Sequence, residues 1–162
     1  MKKPDYPARA ALAFVRAFVK WLALAAVTGA AGGLAGSAFY LAVASATELR
    51  AASPWLLWLL PAAGAAIALL YRFTKLDGLG TDTVIDAIHE GRGIKILLVP
   101  VIFVSTAATH LFGGSAGREG AALQIGGGLG QNIARLFRLD DKDTRLATLC
   151  GMSALFSALF GT

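Results

Sequence analysis

The sequence predicts an all-α, polytopic membrane fold in which several helices are short or interrupted by glycine. Three observations predict it. Apolar residues make up 56% of the 162 positions and charged residues 15%, against about 25% charged in ordinary globular domains. The charges are gathered into clusters, leaving residues 21–47, 51–71 and 96–117 free of Lys, Arg, Asp and Glu. Each of these runs reaches the ~20 residues a helix needs to span a bilayer. Glycine is frequent, 19 in all, and collects at 78–80, 91–93, 113–117 and 126–130. A soluble chain of this size has too few polar residues to cover so much apolar surface.

The elements follow in chain order. Lys2, Lys3, Arg9, Arg16 and Lys20 precede the first apolar run, opposed by Asp5 alone. This positive-inside pattern predicts a cytoplasmic N-terminus, with residues 1–19 as an interfacial helix on the inner leaflet and 20–162 as the membrane unit. The same distribution assigns the net charge of +5 to a membrane surface rather than to nucleic acid. The first span, near 20–47, carries the small-residue pairs Gly29/Gly33 and Gly32/Gly36, which let helix backbones approach in lipid. Pro54 opens the next helix, which runs to about Tyr71, with Trp55, Trp58 and Tyr71 as interfacial anchors. A loop at 72–80 ends in Gly78-Leu79-Gly80. It is no dinucleotide fingerprint, because Thr83 stands where the third glycine belongs.

The remaining segments are less regular. A short polar helix is predicted over 81–90, too short to cross a bilayer, and an apolar helix containing Pro100 over 94–112. A second interrupted helix covers 118–137, a polar turn 138–143, and a last apolar helix 144–160. Cys150 is the single cysteine, so no internal disulfide forms, and it reads as a small packing residue. His89 and His110 lie in different segments, Ser115 has no paired base, and neither an enzyme site, a metal site nor a cofactor is expected.

Between Ile96 and Ala134 only Arg118 and Glu119 are charged, in the stretch Gly113-Gly114-Ser115-Ala116-Gly117-Arg118-Glu119-Gly120. Interrupted apolar helices mark substrate sites in transporters. A helix that begins inside the membrane aims unpaired N–H groups, with about half a positive charge, at whatever lies ahead of it. An anion there is stabilised without a fixed cation to trap it. A first-turn carboxylate gains up to ~1 kcal/mol from the dipole, whereas one ionised residue at mid-bilayer costs about 2.5–3.5 kcal/mol. Capping therefore does not offset the burial of the pair. Two readings remain: a buried ion pair or cap formed by Arg118 and Glu119, or a Glu119 that titrates in an ion pathway, buried and so more readily protonated.

Gly117-Arg118-Glu119-Gly120, preceded by Gly113-Gly114-Ser115 and followed by Gln124-Ile125-Gly126, resembles the signature of the CLC family of chloride channels and chloride/proton antiporters. The Gly78-x-Gly80 loop upstream and the closing Phe160-Gly161-Thr162 support the resemblance, which covers roughly 20–162. It implies a CLC-type fold with tilted helices, of which this chain holds the first inverted repeat. It further implies transport of chloride or a related halide by a voltage-gated channel or an anion/proton antiporter in the cell (inner) membrane, as a homodimer in full-length form. By the resemblance Glu119 is the gate and proton carrier. Gly117, Arg118, Gly120 and Ala121 would cradle the external anion, and Gly78, Leu79, Gly80 and Thr81 would line its inner side.

Three positions depart from the family pattern. Leu79 stands where a serine donates to the anion, and Thr81 or Thr83 is expected to supply the hydroxyl instead. Asp82 replaces a proline and is expected to cap its own helix. Ala121 replaces the proline after the second motif glycine. The fluoride-exporting branch departs at the serine and at that second proline, so a fluoride/proton antiporter is the alternative. A non-transporting fragment that needs a second half is another.

Overall fold

The computed structural model describes the backbone of residues 6–161 and the side chains of residues 10–161. Lys2, Lys3, Asp5 and the Arg9 side chain, part of the basic cluster, lie outside the described residues. Six helices are described: α1 (Tyr6–Ala52), α2 (Leu60–Thr74), α3 (Thr81–Glu90), α4 (Leu98–Leu111), α5 (Arg118–Leu136) and α6 (Asp141–Phe160). A 3-10 segment, Pro54–Leu59, joins α1 to α2. Among the described residues, two segments are long and apolar enough to cross a membrane, Ala10–Ala52 and Pro54–Thr74.

α1 is continuous over 47 residues, or about 70 Å at 1.5 Å per residue. No break separates an interfacial segment from a span near residue 20. Proline appears only at the start of the run from Tyr6 to Ala52, and its glycines are interspersed with alanine and leucine, which are strong helix formers. Pro54 begins the 3-10 segment rather than α2, whose own first turn holds Pro61.

Both ends of α3 match the sequence expectation. α4 starts later than expected, at Leu98, which places Pro100 in its first turn, where a missing N–H breaks no helical bond. α6 starts earlier, at Asp141, because Asp140 caps it by accepting the Asp143 N–H at 2.8 Å.

The fully buried core draws on all of these helices except α2, whose Leu70 and Tyr71 pack against it partly buried. Phe39 and Val43 of α1 meet Leu98, Val101 and Ile102 of α4, Ala122 and Ile125 of α5 and Leu155 of α6. Phe39 and Phe103 pack edge-to-face with centroids 5.5 Å apart, a favoured aromatic geometry. Close approach is set by glycine. Cβ atoms added to Gly32 and Gly36 would lie 2.8 Å from Ala154 Cβ and 2.7 Å from Ala158 Cβ, so this pair seats α1 on α6. Gly29 and Gly33 face open space and seat nothing. Between α5 and α6 the contact is closer still. Gly126 and Gly130 lie against the carbonyls of Gly151 and Ala147, with backbone touching backbone.

One end of the bundle gathers the charges. Lys20 pairs there with Asp143, Lys95 Nζ donates to Lys75 O (2.8 Å), and Arg145 Nη1 donates to His89 O (3.1 Å). Arg135 Nη1 also donates there, to Ile94 O at 3.1 Å. The opposite end is marked by Gly113, in the left-handed region at φ 83°, packed on Leu57 and Arg50.

Candidate functional site

α3 and α5 run side by side in the same direction. Gln124 Nε2 donates to Thr81 Oγ1 at 3.1 Å, Val84 fills the space beside Gly127, and Gln131 Nε2 donates to Arg92 O at 2.9 Å. These contacts advance together along both helices, which fixes the parallel sense. Their N-terminal ends therefore meet: a Cβ on Gly120, third residue of α5, would lie 3.2 Å from Thr81 Oγ1, on the first residue of α3. From Gly120 to Arg135, at the charged end, α5 covers about 22 Å. That reach is shorter than the ~30 Å thickness of a hydrocarbon core.

Geometry settles which groups are open to a ligand there. The first N–H groups of α5, on Arg118, Glu119 and Gly120, have no intrahelical partner. Gly117 provides no side-chain cap, and no acceptor among the described residues takes them. Thr81 and Asp82 head α3 in the same way. Two dipoles aligned in parallel repel each other, and both are relieved by negative charge at the shared end.

The other residues expected at the site divide into two groups. Gly78 takes a left-handed φ of 73° and turns the chain into α3. Leu79 offers nothing to a ligand: its N–H donates to Leu76 O (3.1 Å) and its side chain packs on the core. The Gly80 N–H is likewise occupied, by Thr83 Oγ1 at 3.2 Å. Thr83, not Asp82, is therefore the side chain that closes the start of α3, and Asp82 is exposed. Ala121 is buried in the core at 6% exposure.

Arg118 and Glu119 form no ion pair. Consecutive helix positions diverge by about 100°, and both side chains are exposed with no charged partner among the described residues. The expected burial of Glu119 is thus absent from this chain, because no described residue covers it. Its carboxylate is free to move above the first turn of α5.

Two glutamines escaped the sequence reading as site residues. Gln124 lies four residues after Gly120 and so on the same helix face. Gln131 is 2% exposed and holds the α3–α4 linker by its backbone, accepting from Ile94 N and donating to Arg92 O. Gln124 stood in the sequence only as part of the family motif, and Gln131 carries no local signal beyond an uncharged polar residue in an apolar helix.

The profile of the family described as "Voltage gated chloride channel" matches residues 62–162. A chloride/fluoride channel protein of Pseudomonas syringae pv. tomato is 42% identical over 145 residues, covering 88% of this chain and 32% of that relative. The H(+)/Cl(-) exchange transporter ClcA of Cronobacter sakazakii is 36% identical over 157 residues, covering 85% of this chain and 34% of its own length. The solved structure of a CLC-type fluoride/proton antiporter superposes with a TM-score of 0.79 at 31% identity, over 86% of this chain and 36% of that one. The chain spans about a third of the length of these relatives. With the charge-free spans, the glycine-led α5 and the Gly117–Gly120 motif in place, the chain belongs to the voltage-gated chloride channel (CLC) family of integral membrane transporters.

Proposed function

We propose that this chain forms one membrane repeat of an anion pathway for chloride or fluoride, in which Glu119 is the titratable gate. The observation that carries the proposal is the meeting of two parallel helix N-termini beside an exposed carboxylate. An anion and the Glu119 carboxylate would compete for the same N–H groups, and protonation of Glu119 would release its claim. Arg118, Gly117 and Gly120 line the approach, while Gly78 and Gly80 shape the turn that presents Thr81. The pathway is completed by chain beyond these residues, since Glu119 has no cover here and the relatives are about three times longer. The cytoplasmic side of the inner membrane is assigned to the charged end, where Lys20, Lys95, Arg135 and Arg145 cluster.

Fluoride with proton exchange has specific support: Leu79 turns into the core and presents no hydroxyl, and the superposed solved structure is a fluoride/proton antiporter. The test is efflux from liposomes holding the full-length transporter, read with chloride and fluoride electrodes while pH is monitored. Glu119→Gln is expected to abolish proton coupling in an exchanger, or to flatten the pH dependence of a channel. An unchanged pH dependence would remove Glu119 from the pathway. The 162-residue chain alone is expected to carry no anion flux, and flux from it would overturn the proposed incompleteness.

A further inference from the structure

The grooves beside α4 and along α6 have no charged residue in their lining. One groove at the charged end of the bundle is built differently. Its volume is about 330 Å³, and it lies between α1 and the turn after α5, lined by Lys20, Ala23, Leu24, Phe137 and Leu139. α5 closes there in a Schellman turn: the Leu139 N–H donates to Ala134 O and the Arg138 N–H to Arg135 O, each at 3.0 Å. Phe137 and Leu139 thus form one apolar wall, and Arg138 stands exposed between them at φ 52°. Glycine is the usual residue at that left-handed position, so the arginine is held there against backbone preference. On the opposite wall Arg16 and Lys20 stand one helical turn apart, on the face of α1 that continues into Ala23. Lys20 pairs with Asp143, and Asp140 faces the start of α6, where it accepts the Asp143 N–H. Arg16 and Arg138 have no carboxylate partner among the described residues.

We propose that this groove holds one anionic phospholipid of the leaflet at that end, its phosphate between Arg16, Lys20 and Arg138 and one acyl chain on the apolar wall. The two halves of the site match the two halves of such a molecule. The apolar wall accepts a chain but does not choose among lipids, since all of them carry chains. The choice falls to the unpaired arginines, whose planar forks fit phosphate oxygens, and basic pockets between membrane helices bind such head groups. Lys20 serves both neighbours, because its ammonium has three protons to give and Asp143 takes one. A soluble phosphate would meet the same cations but leave the apolar wall uncovered. The groove lies at the far end of α5 from Glu119, so the lipid ties α1 to the α5–α6 turn and stands apart from the anion pathway.

The test uses the full-length transporter in detergent. Thermal midpoints are read as phosphatidylglycerol or phosphatidylcholine is added, and retained lipid is counted by native mass spectrometry. The parent is expected to retain phosphatidylglycerol in preference to phosphatidylcholine. Each basic residue near an anionic head group corresponds to roughly fivefold in affinity, so Arg16→Gln is expected to lower the preference by about that factor. Arg138→Gly is expected to lower it as much while holding or raising the lipid-free midpoint, because glycine suits that φ. Ala23→Trp fills the groove and is expected to weaken both lipids alike. Arg72→Gln, which removes a basic residue in the last turn of α2 outside the groove, is expected to change nothing. A preference that survives Arg16→Gln and Arg138→Gly, or that falls equally with Arg72→Gln, would reduce the binding to general surface attraction and overturn the site. Unchanged binding in Ala23→Trp would remove the acyl chain from the groove and overturn it too. Stabilisation by inorganic phosphate equal to that by phosphatidylglycerol would make the ligand a soluble anion. A parent with no preference would mean that the rest of the transporter covers the groove, and the proposal would fall.

Discussion

Gly130 and Gly29 occupy similar apolar sequence, yet their surroundings make opposite demands. A Cβ on Gly130 would enter the Ala147 carbonyl, whereas one on Gly29 meets nothing within 4 Å. Gly130→Ala is therefore expected to force α5 and α6 apart at a cost of about 1–3 kcal/mol, seen as a lower thermal midpoint in detergent. Gly29→Ala is expected to stay within about 0.5 kcal/mol of the parent. The small-xxx-small pattern identified the Gly32/Gly36 pair as a helix contact, but it marked Gly29/Gly33 equally. Spacing reports which residues share a face, and only the partner helix decides which face is used. The same limit applies to Arg118 and Glu119. Their isolation among apolar residues was legible, while their separation from each other followed from helix geometry and from the absence of a covering side chain.

At the scale of an element, α3 is held from both ends: Thr81 by Gln124, the His89 carbonyl of its last turn by Arg145, and the linker beyond Glu90 by Gln131 and Arg135. Gln131→Leu leaves the Ile94 N–H and the Arg92 carbonyl without their partner. The Ile94 N–H is buried, and leaving it orphaned costs about 1–3 kcal/mol, so a drop in midpoint is expected by thermal denaturation in detergent. Linker amides near Ile94 are also expected to exchange hydrogen faster than in the parent, and unchanged protection would mean that the arginines suffice. Helix limits were legible where a punctuating residue acts locally. Gly80 and Gly91 bound α3 as the sequence reading had it, Pro100 explains the late start of α4, and Asp140 explains the early start of α6. The parallel pairing of α3 with α5 was not legible. It joins residues 39 to 43 positions apart, and no periodicity within either helix encodes that register.

Over the whole molecule, the ion pair of Lys20 with Asp143 and the arginine contacts place residues 20, 75, 95, 135 and 145 at one end. Arg50 and Gly113 lie at the other. In a Cys150→Ser background, Lys142→Cys is expected to react with a membrane-impermeant maleimide only from the cytoplasmic side, and Glu48→Cys only from outside. Labelling of both from one side would refute the assigned topology. The membrane class and the first two long apolar segments were legible because charge exclusion from lipid is a property of composition, whereas the third charge-free run, 96–117, holds only the 14-residue α4. The depth of the paired helix ends was not, since it depends on how far α5 reaches before Arg135 anchors it.

The glycine seam between α5 and α6 also governs how the molecule can deform. Backbones in direct contact, with carbonyls packed against the positions of missing Cβ atoms, leave no compliant side-chain layer for one helix to slide on the other. The pair is then a stiff beam, clamped at one end by Arg135 and Arg145. The softer parts lie at the other end: the exposed Glu119 side chain, the 113–117 turn and the single hydrogen bond joining Thr81 to Gln124. For the anion pathway proposed above, such a frame favours local displacement of a few atoms against a rigid support over sliding of α5 on α6.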